Sequence, residues 1–347
     1  RILARGNWMD NTGEIVEPAT PAFLPPLAVE GRRANRLDLA RWLVRRDNPL
    51  TARVVANRLW KRYFGIGLAK TLIDMGSQSE APINQPLLDW LAVEFMDRGW
   101  DTKQLVRLLV TTATYRQSSL PRPELDAIDP DNRLAGRQAR FRLEAEQIRD
   151  NALAVSGLLV SKVGGDIVRP YQPAGYYSSL NFPERDYVAS TGDDQFRRAV
   201  YTHWQRQYIH PWLLAFDAPS REECTADRPV SNTPNAALVL LNDSSYVEAA
   251  RALASRILGQ ASTKDDERAR WAWQTVLGRE ADPDEAGELV RLLRKHRAEY
   301  GADRKAAEAL VSVGISPRPD GVDVAELAAW TSVSRVLLNL NETITRN

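Results

Sequence analysis

Apolar residues recur at every third or fourth position along much of this chain, and that spacing is the strongest constraint on its fold. The clearest run follows Thr51, a residue type that caps helices, and consists of Ala52, Val55, Ala56, Leu59, Trp60, Tyr63 and Phe64. A shorter run precedes it, with Leu37, Ala40, Leu43 and Val44. Residues at this spacing share one helix face, and we expect each such face to be buried. The pattern predicts a mostly α fold, a multi-helix globular array.

Breaks in the helical pattern divide the chain into four segments. Residues 1–31 include the proline-rich stretch EPATPAFLPP, which removes amide donors and keeps the backbone extended, so we expect a strap or linker. Residues 32–162 form an N-terminal helical half, and residues 233–347 form a C-terminal helical half. Between them, at 163–232, glycine, proline and aromatic residues replace the helical period. This central segment is predicted to be irregular, with at most short β strands.

Composition excludes several classes of protein. Lys and Arg total 46 against 45 Asp and Glu, so no global charge draws the chain to nucleic acid or to an anionic membrane. No apolar run approaches the roughly 20 residues that span a bilayer. The single cysteine, Cys224, excludes an internal disulfide, and its thiol could be either reactive or simply packed. No zinc-finger or basic-zipper signature occurs, and we expect neither nucleic-acid binding nor a membrane span.

Several stretches of the sequence resemble one known family. They include NRLDLARWLVRRDNPLTARVVANRLW, TATYRQSS, RLEAEQIRDNALAVSG, FDAPSREECTADRPVSNTPNAALVLLND and the closing VLLNLNE. In order and spacing they are similar to the planctomycete-type C-terminal domain of unknown function, from about Arg32 to Glu342. Met75 and Asn84 stand where that family usually has an aromatic residue and a histidine. A histidine-based mechanism at Asn84 is therefore not expected.

The resemblance implies a cellular context but no reaction. Domains of this family follow another planctomycete domain in many multidomain proteins, with cytochrome c modules further upstream. We therefore expect an exported protein, periplasmic or at the cell surface, whose partners are other domains of the same polypeptide or a haem-bearing protein. Haem would belong to an upstream domain, and no cofactor is expected in this chain. The family brings no established activity and no agreed catalytic residues.

The run after Thr51 carries the candidate binding residues Asn57, Arg58 and Trp60. They lie within one helical turn of each other and could line a groove. The alternative is that Asn57 and Arg58 hydrogen-bond a neighbouring loop, since buried polar groups need partners. Basic residues also outnumber acidic ones between residues 32 and 62. This patch could bind an anionic polymer, or its arginines could pair with acids elsewhere in the chain.

A loop rich in oxygen ligands is the candidate metal site. Asp126, Asp129 and Asp131 place carboxylates of the kind that calcium prefers close together in sequence. Pro130 interrupts the series, however, and the spacing does not fit the EF-hand template. Capping of a helix or turn is the alternative that we favour.

Three carboxylates, Glu144, Glu146 and Asp217, are the candidate catalytic residues. Paired acids can perform acid–base chemistry, and Arg149 and Arg228 are the nearby candidates for binding a ligand. Salt bridging accounts for the same charges, because residues three or four apart on a helix meet. Salt bridging is the alternative that we favour.

Three functions remain open on this reasoning. A binding or assembly module of a larger exported protein would leave an apolar or aromatic patch exposed. An enzyme acting on a polymer such as a glycan would bring carboxylates with perturbed pKa values together in a cleft. A structural element of the cell surface is the third. Carboxylates paired bidentately to arginine would count against the enzyme.

Overall fold

The computed structural model of the chain describes residues 1–3, 7–180, 186–206 and 208–346. In this part of the chain it contains thirteen α-helices, three short 3₁₀ helices and one two-stranded antiparallel sheet. The predicted mostly α fold is confirmed. The chain divides into two compact units, Arg1–Ala139 and Arg140–Asn347. The four predicted segments were drawn where the helical pattern of the sequence breaks, whereas the two units are defined by contacts in the fold. The bounds of the four segments therefore stay predictions.

The described part of the first unit contains five helices. They are α1 (Arg36–Leu43), α2 (Thr51–Phe64), α3 (Gln85–Asp97), α4 (Thr102–Thr111) and α5 (Pro123–Asp126). Side-chain caps set three of the starts, because Asn35, Asn84 and Asp101 accept backbone N–H groups of the first turns. Gly65 ends α2 with a φ of 82°, a left-handed conformation that glycine adopts without strain.

The apolar stripe of α2 packs as the sequence predicts. It joins α3 and α4 in one buried cluster, in which Trp60 and Phe64 stack with ring centroids 4.0 Å apart. Full burial of a side chain of this size contributes roughly 1.5 to 3 kcal/mol, so the cluster holds this unit together. Its other members are Ala56, Leu68, Leu88, Leu91, Phe95, Leu105 and Leu109.

Helix α1 departs from the expected orientation. Its buried side chains are Asp38 and Trp42, and the run expected to face inward is exposed. Two polar anchors explain this: the indole Nε1 of Trp42 donates to the Pro25 carbonyl at 2.7 Å, and the Asp38 carboxylate accepts from Arg32 at 2.6 Å. The prediction of a buried face was therefore wrong for Leu37, Ala40, Leu43 and Val44.

The second unit is built around α9 (Ser244–Leu258) and α13 (Val324–Asn339). Both helices are apolar on several sides and lie almost wholly buried, with Leu253, Ala328 and Trp330 at 0% exposure. The helices described around them are α6 (Ala145–Ser156), α7 (Pro211–Ala215), α8 (Pro234–Asn242), α10 (Asp265–Leu277), α11 (Pro283–Ala302) and α12 (Arg304–Val311). Among all described helices of the chain, none is long and apolar enough to cross a membrane.

A short sheet joins the beginning and the end of the second unit. Strand β1 (Phe141–Arg142) pairs antiparallel with β2 (Thr345–Arg346), and Phe141 lies opposite Arg346. Helix α6 begins shortly after β1 and packs on α9. It therefore belongs to the second unit, although its sequence position falls in the predicted N-terminal half at 32–162.

The central segment is irregular, as predicted. Isolated parallel bridges such as Val168 with Thr202 are the only β pairing within the described residues of 163–232. Residues 181–185 and 207 lie outside the described part. The regular elements of the segment, besides α7, are three 3₁₀ helices at Tyr176–Ser179, Gly192–Phe196 and Ala199–Tyr201.

Replacing Leu253 by alanine should destabilise the second unit by about 2 to 5 kcal/mol, because this fully buried side chain would leave a cavity in the core. The control is Leu238→Ala on α8, where the side chain is 55% exposed and the expected change is under about 0.5 kcal/mol. Urea unfolding followed by far-UV circular dichroism measures both. Equal losses in the two variants would contradict the packing described.

Candidate functional site

Carboxylates and arginines from two stretches of the second unit meet at the start of α6. Glu144 is the N-cap of this helix and Glu146 lies in its first turn, while Arg228 reaches both from the loop after α7. The Arg228 guanidinium binds Glu146 twice, from Nη1 to Oε2 at 2.7 Å and from Nη2 to Oε1 at 3.1 Å. Its Nη1 also lies 3.1 Å from Oε2 of Glu144. We call these three residues, with Arg142 and Asp217, the α6 network.

Asp217 anchors the same loop at its other end. Its Oδ2 accepts from Nη2 of Arg142 at 2.7 Å and from the Ser231 amide at 2.9 Å, and its Oδ1 accepts from the Ser231 hydroxyl at 2.6 Å. Arg142 also donates to the carbonyls of Ser231 and Phe216. The loop from 217 to 231 is thereby fastened to β1 and α6.

Two acids of the network are held in the charged state. Burial by itself would raise the pKa of Glu146, but hydrogen bonds and the positive charge from Arg228 bring that pKa below its ordinary value of 4.5. Burial would likewise raise the pKa of Asp217. The hydrogen bonds that Asp217 accepts from Ser231 and Arg142 outweigh this effect, so its pKa is also lowered. Acids in this state are poor proton donors at neutral pH.

The catalytic role of Glu144, Glu146 and Asp217 therefore stays a prediction. The structure brings Glu144 and Glu146 together at Arg228, while Asp217 contacts Arg142 and Ser231 instead. Each of the three carboxylates thus has an arginine partner, and Glu146 is bound bidentately. This is the arrangement that the salt-bridging alternative describes.

Arg149 lies one turn further along α6 and is buried, with 1% exposure. Its Nη1 and Nη2 donate to the backbone carbonyls of Arg197 at 2.9 Å and Gln195 at 2.6 Å, and its guanidinium carbon lies 5.9 Å from the ring centroid of Trp212. These contacts fix the central segment against α6. The ligand-binding role of Arg149 stays a prediction, because the hydrogen bonds that its Nη1 and Nη2 donate go to backbone carbonyls of the chain itself.

Buried polar groups near Arg149 were not among the predicted site residues. Asp243 caps α9 through the Ser245 amide, and the buried hydroxyl of Tyr246 has no hydrogen-bond partner among the described residues. Burial raises the pKa of both side chains. Burial also lowers the pKa of His210 to about 4, so this imidazole is neutral at neutral pH. Only the capping position of Asp243 has a signal in the sequence, an aspartate directly before a helical run.

Two carboxylates of the predicted metal loop accept hydrogen bonds from other groups of the chain. Asp126 accepts from Nη2 of Arg137 at 2.9 Å, and Asp129 accepts from two backbone amides of the following turn at 2.9 and 2.7 Å. Asp131 is exposed. Across the described residues, no three His, Cys, Asp or Glu side chains are grouped so that they could hold a metal ion. The contacts of Asp129 are those of the capping alternative, while Asp126 is held in an ion pair with Arg137.

In the first unit, the three predicted binding residues on α2 lie in different environments. Asn57 is 1% exposed, and its side chain holds the backbone of Ala69 through bonds of 2.8 and 3.0 Å. Trp60 stacks inside the core, and Arg58 faces solvent. The contacts of Asn57 are those of the loop-bracing alternative, and a joint binding groove stays a prediction.

Apolar side chains on the outward sides of α1 and α3, in the first unit, also face water. Leu37 and Val44, on the outward side of α1, are 57% and 50% exposed. Trp90 and Val93, three residues apart on α3 and thus on one side of it, are 50% and 42% exposed. We call this surface the outer face, and its members are Leu37, Ala40, Leu43, Val44, Trp90 and Val93.

Ion pairs border the outer face. Arg46, just beyond Val44, pairs with Asp97, which shares the α3 side of Trp90 and Val93, so this pair links the α1 and α3 parts of the surface. Further pairs join Arg45 to Asp47 and Arg53 to Asp89. Much of the basic patch between residues 32 and 62 is therefore paired within the chain. Arg36 has neither a hydrogen bond nor an ion pair with any described residue.

Replacing Asn57 by alanine should lower the stability of the first unit by about 1 to 3 kcal/mol, because the buried amide and carbonyl of Ala69 would lose their partners. The matched variant Arg58→Ala, at the next position, removes a solvent-facing side chain and should leave the unfolding midpoint unchanged. Chemical unfolding curves of both variants make the comparison. A destabilised Arg58→Ala beside a normal Asn57→Ala would contradict the assignment.

Replacing Arg228 by methionine should cost roughly 1 to 3 kcal/mol at pH 7, because the half-buried Glu146 loses its charged donors. With the pKa of Glu146 depressed, its contribution in the parent protein is full above 4.5 and is lost as pH falls through the folded-state pKa. The stability gap between parent and variant should therefore narrow as pH is lowered from 7 to about 3. Urea unfolding across this range measures the gap, and a gap that widens in acid would refute the charge assignment.

One family model matches the chain over residues 35–293, with the description PSD1, protein of unknown function (DUF1553). No curated protein and no solved structure matches the chain. The matched stretch includes both the α6 network and the outer face. The chain therefore belongs to the PSD1 family of proteins of unknown function (DUF1553).

Proposed function

We propose that the chain is an assembly module that docks, through the outer face, onto another domain of the same polypeptide or onto a partner protein. The observation that carries this proposal is the orientation of α1. An ion-paired aspartate and a tryptophan turn inward, while leucine and valine side chains face water. Contiguous apolar patches on a protein surface commonly mark places where another surface binds.

The outer face has the physical properties of a contact surface. Full burial of a Leu or Val side chain is worth roughly 1.5 to 3 kcal/mol, and covering Leu37 or Val44, which are 57% and 50% exposed, would gain about half of that. Tryptophan is also enriched among residues that dominate interfaces. Trp90 stands on a firmly held helix, because its neighbours Leu88 and Leu91 are 0% and 2% exposed. A rigid apolar surface loses little conformational entropy when it is covered. Docking at this surface would therefore be favourable.

In this proposal the second unit supplies a stable body. Cleavage of a polymer such as a glycan is the rival function, and it would require Glu144, Glu146 or Asp217 to leave its arginine. Acids near Arg149 with raised pKa values, such as Asp150 and Asp243, would be the better donors for such chemistry. A structural role at the cell surface is a further alternative, and it needs no specific partner at the outer face.

The cellular context that we propose is an exported protein, periplasmic or at the cell surface, with a haem-bearing neighbour. Its support is the sequence resemblance to planctomycete domains that follow cytochrome c modules. In this arrangement haem belongs to an upstream domain or a partner, and the chain itself carries no cofactor.

Hydroxyl-radical footprinting of Trp90 tests the docking. The native protein, isolated with the domains and proteins to which it is bound, is compared with the chain of residues 1–347 alone. Because Trp90 is half exposed in the chain and would be covered in the assembly, its oxidation should fall several-fold in the native sample.

Leu238 provides the internal reference in the same experiment. It is 55% exposed on α8 of the second unit and takes no part in the proposed contact, so its oxidation should be equal in the two samples. Equal oxidation of Trp90 would overturn the proposal.

A further inference from the structure

Arg36 is a charged side chain within the apolar outer face. It shares one side of α1 with Ala40, Leu43 and Val44, because these positions follow it by four, seven and eight residues. The side chain is exposed, and no described residue accepts a hydrogen bond from it. Any surface that covers the outer face therefore also covers this guanidinium.

Asp38, the acid nearest to Arg36 in the sequence, is already bound to other groups. Asp38 accepts from Nη1 and Nη2 of Arg32 at 2.6 and 2.7 Å and from the Asn35 amide at 2.9 Å. The donated hydrogen bonds from Arg32 lower the pKa of Asp38 to about 2, so the carboxylate is fully charged and committed. Asp47 is likewise paired with Arg45, and Glu30, six residues before Arg36, is exposed and makes neither an ion pair nor a hydrogen bond with it. No described acid of the chain therefore serves as a partner of Arg36.

Docking at the outer face would remove the Arg36 guanidinium from water. A cation buried in a contact without an acceptor is strongly unfavourable, and the penalty opposes the gain from covering the leucine and valine side chains. A carboxylate on the covering surface offsets it, since it accepts the N–H groups and neutralises the charge.

We propose that the partner of the outer face is a protein surface that places an aspartate or glutamate carboxylate opposite Arg36, within an apolar contact over α1 and Trp90. This inference rests on the proposed assembly function and names the chemistry of the partner.

The border of the outer face favours a protein over an anionic membrane. Asp47, Asp89 and Asp97 present side chains that are 53%, 40% and 48% exposed beside their arginine partners. A sheet of anionic headgroups would be repelled by these carboxylates. An apolar centre with a polar border of both signs is the usual composition of a protein interface.

Zero-length cross-linking at position 36 tests the inference. The variant Arg36→Lys is introduced into the native protein, where it places an amine at the site, and a carbodiimide joins an amine to a carboxylate only when the two are in contact. Mass spectrometry should then find position 36 linked to an aspartate or glutamate of another domain or protein. The control is Arg107→Lys on α4, an exposed position outside the outer face with no described partner, and it should give no such link.

The possible outcomes separate this inference from the function on which it rests. Protection of Trp90 in the same Arg36→Lys sample, without a link at position 36, would keep the assembly function and overturn the carboxylate. Exposed Trp90 without a link would overturn both. A link from position 36 to Asp38 or another acid of residues 1–139 would also contradict the inference, as would binding of the chain to phosphatidylglycerol vesicles without any protein link.

Discussion

A charged side chain that leaves water needs a partner, and this constraint shapes both units of the chain. In the second unit the chain supplies the partners itself: Arg149 is matched by two backbone carbonyls and Glu146 by Arg228. These contacts fasten the irregular central segment and the loop from 217 to 231 to α6. In the first unit the same constraint decides which way α1 faces, because the buried Asp38 accepts hydrogen bonds from Arg32, whose side chain reaches it from the surface. The outward leucines of α1 are the consequence.

The α6 network and the outer face differ in whether their side chains have partners within the chain. Each acid of the α6 network has an arginine partner, and these ion pairs hold the loop from 217 to 231 in place. The outer face has the opposite character, since its apolar groups and Arg36 remain without partners among the described residues. A partner protein with apolar side chains and a carboxylate would cover the apolar groups and neutralise Arg36. The outer face is therefore the better candidate for the functional surface of this chain.

Much of the fold could be predicted from the sequence. The helical period marks α2 over its whole length, because the apolar run from Ala52 to Phe64 coincides with the helix that the structure has at Thr51–Phe64. The failure of the period at 163–232 correctly indicated irregular structure. The outward face of α1 could not be predicted, because periodicity gives the spacing of apolar residues but not the side that is buried. That side depends on the contact of Trp42 with Pro25, which are 17 positions apart.

The candidate site was predictable in its members and less so in its geometry. The sequence identified Glu144, Glu146, Asp217 and Arg228, and the structure brings the two glutamates to Arg228, while Asp217 pairs with Arg142. It gave no sign that Arg149 is buried or that Tyr246 and His210 lie in the interior, since these positions depend on how distant segments pack. The sequence also singled out Asn57 and Trp60. The residue type alone, however, does not show whether such a side chain supports the fold or binds a ligand.

An electron cryo-microscopy structure of the native assembly would show directly whether the outer face is covered. We expect density of another domain or protein in van der Waals contact with Val44 and Trp90, while Glu146 remains bound to Arg228. An outer face open to solvent, together with a ligand between Glu146 and Asp217, would contradict it.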